Sequence, residues 1–364
     1  MPAEVRRTWI LGAGLLLVAA CRIETDRGEA APLPVPAASD SLFAECPERL
    51  PALGLVRRPA GREITRILPA RDAILLATPE GLFRAAGGRT EHLLRGGKDW
   101  ALDGGVLARL GEGRIDLFDY RPREAPAPRA ALAAGRHEAS IALAQGDLFV
   151  HSAFHDDALV LRRSLDDGAV VGRALPVERE LLRTLLEGPG RLHEDEGRLV
   201  SEAGRVVLVP AVRDPITVLD AAGGSGRVLA LAGGRRGEVR FVGQGRREGR
   251  RCRLCIRRIE IQGKVSVVPL YAAAALARGF LWLVRLDPPG SSNAVLLRAD
   301  VEAREVRAWR LVLPGPPTAL AVVGDTLLLA ADRDLWHAPA PTTATGSACP
   351  LRCAGCRPPE PFLA

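Results

Sequence analysis

Short apolar runs recur along this chain at a spacing close to 42 residues, and that periodicity limits the fold more than any other feature. The runs open at Ile74, Val106, Leu148, Leu192, Val228, Phe280 and Leu327, at intervals of 32, 42, 44, 36, 52 and 47 residues. Most are followed by a second short run, such as Gly81-Leu82-Phe83, Ile115-Asp116-Leu117-Phe118 or Asp334-Leu335-Trp336. Runs of this length bounded by Gly, Pro and Asp read as strands, and a repeat of about 40–45 residues is the length of a four-stranded propeller blade. The pattern therefore predicts an all-β fold, a β-propeller of about seven four-stranded blades. The fourth copy, around residues 192–209, is the weakest, so a count of six to eight fits. Two β-sandwich domains would also give many short strands; the sevenfold recurrence favours the propeller. Only residues 178–187 show good helical spacing, with Leu181, Leu182, Leu185 and Leu186 on one face and Gly188 as a stop.

The first 51 residues do not share the repeat. Arg6 and Arg7 precede an uncharged stretch, Thr8 to Ala20, dominated by Ile10, Leu11, Leu15, Leu16, Leu17 and Val18. It is too short to cross a hydrocarbon core, which takes roughly 20 residues, and has the length of a signal-peptide apolar region. Val18-Ala19-Ala20-Cys21 follows, and it resembles the lipobox of bacterial lipoproteins: apolar, small, small, cysteine. The resemblance implies diacylglycerol on the Cys21 thiol, cleavage before that residue and acylation of the new amino group. Several acyl chains together are a stable anchor where one is marginal. Arg22 rather than Asp follows the cysteine, which in such lipoproteins favours the outer over the inner membrane.

Residues 22–51 are rich in Ala, Pro, Asp and Glu and read as a tether without a core. The chain thus divides into a signal peptide (1–20), a lipidated Cys21 with its Pro/Ala-rich tether (21–51), a propeller (52–340) and a Cys-containing tail (341–364). Charges interrupt every later apolar run, so no further membrane span is predicted. Across the repeats the chain resembles β-propeller lipoproteins of the bacterial envelope in repeat length and strand pattern. No Trp-Asp or Gly-His pair recurs from blade to blade, so the resemblance carries no functional residue with it.

Lys98 and Lys264 are the only lysines and Asn293 the only asparagine, against 50 basic residues in all. This bias suggests a GC-rich genome and makes arginine content alone a weak functional signal. The formal charge is +7, and +6 after loss of Glu4, Arg6 and Arg7 with the signal peptide. A basic balance often marks nucleic-acid binding, but an exported protein rarely meets nucleic acid; anionic envelope polymers or lipid headgroups fit better. With only 4% aromatic residues, a stacking sugar site is unfavoured.

Beyond Cys21, six cysteines remain: Cys46, Cys252, Cys255, Cys349, Cys353 and Cys356. An even number in an oxidising compartment reads first as disulfides. The Cys252/Cys255 and Cys353/Cys356 spacing also permits zinc or a redox dithiol.

Candidate chemistry is sparse. His151, His155, Asp156 and Asp157 form the densest set of metal-type ligands, but His151 and His155 on a straight strand would stand roughly 13 Å apart; a polar strand end is the plainer reading. His137-Glu138, Asp103 and the acidic turn at 193–197 read as solvated. Calcium chemistry of the Asn-rich propeller type is unfavoured by the single asparagine, and no cofactor is implied.

The sharpest feature is an insertion in the fifth repeat, where residues 235–258 hold ten arginines against Glu238 and Glu248. Arg246, Arg247, Arg250, Arg251 and Arg253 are its anion-binding candidates, since guanidinium forks grip phosphate and carboxylate. The sequence thus favours a lipid-anchored, non-enzymatic binding or scaffolding propeller for an envelope protein or anionic polymer. An enzyme with a channel site, or a thiol-redox or metal-handling module on the Cys pairs, stands as the alternative.

Overall fold

A computed structural model describes residues 52–135, 137–153, 157–177, 195–219, 225–229, 231, 236–242, 264–286, 293–301 and 306–341. The signal peptide, the tether, the 178–187 stretch and all seven cysteines lie outside the described residues. Every regular element among the described residues is a strand.

Strand β1 (Val56–Pro59) comes first and joins the ring last. Blade 1 is β2 (Arg66–Pro69), β3 (Ile74–Thr78), β4 (Gly81–Ala86) and β5 (Arg89–Arg95). Blade 2 is β6 (Asp99–Asp103), β7 (Val106–Leu110), β8 (Arg114–Asp119) and β9 (Ala127–Ala133). Blade 3 is β10 (Ser140–Ala144), β11 (Asp147–His151), β12 (Ala158–Ser164) and β13 (Val170–Pro176). Blade 4 is β14 (Gly197–Glu202), β15 (Arg205–Pro210), β16 (Ile216–Leu219) and β17 (Ser225–Leu229). A separate antiparallel pair follows, β18 (Glu238–Val242) and β19 (Lys264–Val268). Blade 5 is β20 (Tyr271–Ala277), β21 (Phe280–Leu286), β22 (Ala294–Asp300) and β23 (Val306–Leu311). Blade 6 is β24 (Pro317–Val323), β25 (Thr326–Ala331) and β26 (Asp334–Pro339), completed by β1 as its outermost strand.

The inner strands β2, β6, β10, β14, β20 and β24 neighbour one another in that order, and β24 returns to β2. Between successive blades lie six apolar layers. One sets Leu75 and Leu82 of blade 1 against Trp100 and Leu107 of blade 2; another sets Ile67 and Leu76 against Ala321 and Leu328 of blade 6. Middle strands are buried on both faces, which is why Leu327-Leu328-Leu329 and Leu148-Phe149-Val150 read as unbroken apolar runs rather than alternating ones.

The fold is thus the propeller that the repeat predicts, with six blades rather than seven, the lower end of the expected range. Blade 4 causes the difference. Its second strand is β15, with Val206-Val207-Leu208-Val209, whereas the run at Val228 lies in its outermost strand, β17. That outer strand carries an apolar run because Leu229 is buried with Leu231 and Leu270 in the core shared by blades 4 and 5.

Four blades turn from the inner strand to the second through two residues of positive φ: Gly104-Gly105, Gln145-Gly146, Ala203-Gly204 and Arg278-Gly279. This is the twist-matched two-residue hairpin. Blade 1 departs from it, turning through Ala70-Arg71-Asp72-Ala73 with the Ala70 N–H donating to the Ala73 carbonyl at 3.0 Å.

Glu138 is buried, not solvated: it folds under the approach to β10, its carboxylate 3.8 Å from Arg163. Burial pushes its pKa up from 4.5, and the Gly135 backbone and Arg163 pull it only part of the way back. A raised folded pKa favours the protonated form, so this contribution to stability is present below the unfolded pKa and is lost as pH rises through the folded one. We expect Glu138→Gln to melt above the wild type at neutral pH and to match it at pH 4. Parallel melting profiles over that range would contradict this account.

Candidate functional site in the central channel and the closing groove

Four consecutive inner strands open on a polar residue: Arg66 starts β2, Asp99 starts β6, Ser140 starts β10, and Arg198 is second in β14. They meet on the axis. Arg66 donates from Nη1 to both Asp99 carboxylate oxygens at 2.6 Å, and reaches across the ring to the Leu199 carbonyl at 2.8 Å and the Ile141 carbonyl at 3.3 Å. Asp99 also accepts from Ser140 Oγ at 2.7 Å and the Ile141 N–H at 2.9 Å, while Ser140 Oγ accepts from the Leu199 N–H at 3.0 Å. One arginine and one carboxylate thereby tie four blades together. With its oxygens taken by these donors, Asp99 is a fastener and is poorly placed to act as a general base.

Arg198 is different. It makes one long hydrogen bond, Nη1 to the Thr318 carbonyl of blade 6 at 3.4 Å, and no carboxylate among the described residues pairs with it. Burial lowers its pKa, the neighbouring Arg66 lowers it further, and Asp99 restores part. An arginine remains a cation under such a shift. Gly197 before it allows a close approach to β15, since a Cβ there would sit 2.8 Å from the Val209 carbonyl oxygen.

Arg198 lines both halves of the channel. The narrower, about 80 Å³, is walled by Arg66, Leu68, Leu102, Ala275 and Leu320. The wider, about 290 Å³, opens at the N-terminal ends of the inner strands beside Lys98, Ser140, Tyr271 and Ala272. Blade 5 leaves this room because β20 presents a run of alanines, Ala272 to Ala275.

A second cavity, about 450 Å³, lies where β1 closes the ring beside blade 1. Its floor is apolar, with Ala60, Ile74, Leu76 and Leu335, and its rim holds Arg58, Arg62, Arg71 and Arg89 against the single carboxylate of Asp72. Arg62 stacks on Phe83 at 4.0 Å and lies 3.9 Å from Glu80. Arg58, Arg71 and Arg89 are exposed, and no ion pair among the described residues holds them. Arg71 sits in the turn by which blade 1 departs from the repeat.

Of the candidate metal ligands, His151 is fully buried in β11 with Nδ1 2.9 Å from the Leu159 carbonyl oxygen. Asp157 is exposed and pairs with Arg173 at 2.6 Å. His155 and Asp156 lie outside the described residues, as do Arg246, Arg247, Arg250, Arg251 and Arg253. The strands flanking that arginine-rich insertion are described: β18 and β19 pair in register from Glu238↔Val268 to Val242↔Lys264. The base is fixed to blade 4, since the Gly237 N–H donates to the Val212 carbonyl at 2.9 Å and the Leu270 N–H to the Ala211 carbonyl at 2.7 Å. Ala211 and Pro269, at this base, also line the wide mouth of the channel.

The sequence reading missed Arg66, Asp99, Ser140 and Arg198. The available signal was positional, a polar residue at or next to the head of four consecutive inner strands, and it appears only once the blades are phased.

No protein-family profile matches the chain, and no curated relative matches it. Similar solved structures include BamB from Moraxella catarrhalis (11% identity, TM-score 0.39, 79% of this chain and 97% of that one). Glutaminyl cyclase from Myxococcus xanthus is another (14%, 0.38, 71% and 96%), and so is the WD40 β-propeller domain of Doa1 (9%, 0.45, 78% and 96%). Identities this low transfer no residue roles to this chain.

Proposed function

We propose that this protein is an exported binding propeller of the cell envelope, held on the membrane by lipid on Cys21. In this reading it is non-enzymatic and grips an anionic partner, either an acidic face of an envelope protein or an anionic polymer. The observation that carries the reading is the closing groove: four arginines face one carboxylate over an apolar floor. Three of them, Arg58, Arg71 and Arg89, have no ion pair among the described residues, so they lose little on engaging phosphate or carboxylate and can do so through paired hydrogen bonds. The arginine-rich insertion between β18 and β19 adds a second basic element, and the lipobox at 18–21 supplies the address. Charge attraction of this kind weakens with salt, because screening acts within about 8–10 Å at physiological ionic strength.

The test is recovery of envelope material on the full-length lipidated protein. Replacing Arg58, Arg71 and Arg89 with Ser should lower recovery about tenfold at low salt, as expected for three exposed charge contacts of about 0.5 kcal/mol each. Arg246, Arg247, Arg250 and Arg251 changed to Ser should lower it further, and raised salt should abolish it. Equal recovery by the wild type and both variants at low salt would remove the binding assignment. An unmodified mature N-terminus away from Cys21, seen by mass spectrometry, would remove the anchor.

A further inference from the structure

We propose that the wide mouth of the central channel binds one compact oxyanion on Arg198, with Lys98 as the second cation. The inference does not depend on the lipid anchor or on the closing groove. It starts from an imbalance. Arg66 and Asp99 neutralise each other through two contacts at 2.6 Å, whereas among the described residues Arg198 has the 3.4 Å contact to the Thr318 carbonyl and no carboxylate. A guanidinium that faces a cavity with no carboxylate hydrogen-bonded to it is placed to pair with an entering anion. Lys98 stands at the same mouth, exposed; its backbone N–H donates to the Leu110 carbonyl at 2.7 Å, and its ammonium has no partner among the described residues.

The charges that face the cavity set the charge of the ligand. Arg198 and Lys98 are positive, Asp99 is cancelled by Arg66, and Glu196 stands at the rim with an interaction of its own. The two cations mark the mouth as a site for an anion. The size is also restrictive. At about 290 Å³ the mouth lies at the lower end of ligand pockets, which run from about 300 to 1,000 Å³, and beyond Arg198 the channel narrows to about 80 Å³. Alanines of β20, Ala139 and Pro269 wall the space, and Ser140 and Tyr271 offer polar contacts. The ligand is therefore a small carboxylate or inorganic phosphate, entering from the inner-strand N-terminal side and stopping at Arg198.

Inorganic phosphate at mildly acid pH, where it is largely the monoanion, is a suitable probe, titrated calorimetrically into the full-length protein at low ionic strength. One saturable site is expected. Arg198→Leu should weaken it about tenfold to a hundredfold, the loss of a charge-assisted pair, and Arg198→Lys should keep part of the affinity. Ala139→Phe changes an exposed residue and should also weaken binding, by obstructing the mouth without removing a charge; it serves as the test if Arg198→Leu fails to fold. The Arg58/Arg71/Arg89 variant should bind phosphate as the wild type does, which separates this site from the groove. No saturable binding to the wild type, or binding unchanged by Ala139→Phe and by either Arg198 variant, would overturn the proposal.

Discussion

Asp99→Ala is expected to lower the unfolding free energy by about 3 kcal/mol, the lower end of the range for breaking a buried charge pair by removing one partner. Asp99 accepts from Arg66, from Ser140 Oγ and from the Ile141 N–H. Removing it strands the Arg66 cation a short way from Arg198 and leaves the Ile141 N–H without its acceptor. The lower end applies because the side chains of Arg66 and Asp99 keep 12% and 11% exposure to the channel, and the adjacent cavity admits water. Asp99→Asn, which keeps an acceptor but loses the charge, should cost less. The double change Asp99→Ala with Arg66→Met should recover much of the loss, because the stranded cation is gone. Urea denaturation of the three variants measures this directly. A cost under about 1 kcal/mol for Asp99→Ala would show that the axial knot is incidental to stability.

That knot also shows where sequence reasoning ends for such a fold. The second strand of a blade is buried on both faces, so Leu75-Leu76-Ala77 or Leu107-Ala108 announces itself as an apolar run. Inner strands are shorter in signal. They pack close to the axis with small residues, as in Ser-Ile-Ala-Leu-Ala of β10, and their polar heads are single residues spread from Arg66 to Arg198. Nothing local relates Arg66 to Leu199, and in a chain with 50 basic residues an isolated arginine is unremarked. The insertion was legible, because charge density is a local property; that its flanking strands root beside the channel mouth was not, because that depends on which blade they leave. The groove was missed for the same reason. Arg58 and Arg89 come from the closing strand and blade 1, and only closure of the ring sets them on one rim.

Ring closure was legible from an imbalance of strands, and it supports the second large effect. The last repeat lacks an outermost strand while an unassigned apolar segment, Leu53-Gly54-Leu55-Val56, precedes the first. The structure fills that place with β1, from Val56↔His337 to Pro59↔Asp334, adding an Arg57–Asp334 ion pair at 2.6 Å. The pairing starts three residues later than Leu53, because Leu53 and Leu55 pack against the blade 5–6 core and the Leu53 N–H donates to the Arg310 carbonyl of β23 at 3.0 Å. At the other end the Pro341 carbonyl accepts from Arg298 of β22 at 3.0 Å. Both ends of the described chain therefore rest against neighbouring strands of blade 5.

Cys46 precedes Ala52 by six residues, and Cys349 follows Pro341 by eight. Extended chain covers up to about 3.5 Å per residue, so a bridge from Cys46 to the tail cysteines is within easy reach. Peptide mapping should place Cys46 in a disulfide with Cys349, Cys353 or Cys356, leaving the other two to pair with each other and Cys252 with Cys255. Such a bridge closes a loop of some 300 residues, for which the chain-entropy relation gives about 6 kcal/mol. Cys46→Ser or reduction should lower stability by up to that amount, and by less if the unfolded chain stays compact. Reduction of the Cys46→Ser variant should then add little. Recovery of Cys46 as a free thiol from the exported protein, or identical melts with and without reductant, would dismiss the staple and leave β1 as the sole closure of the ring.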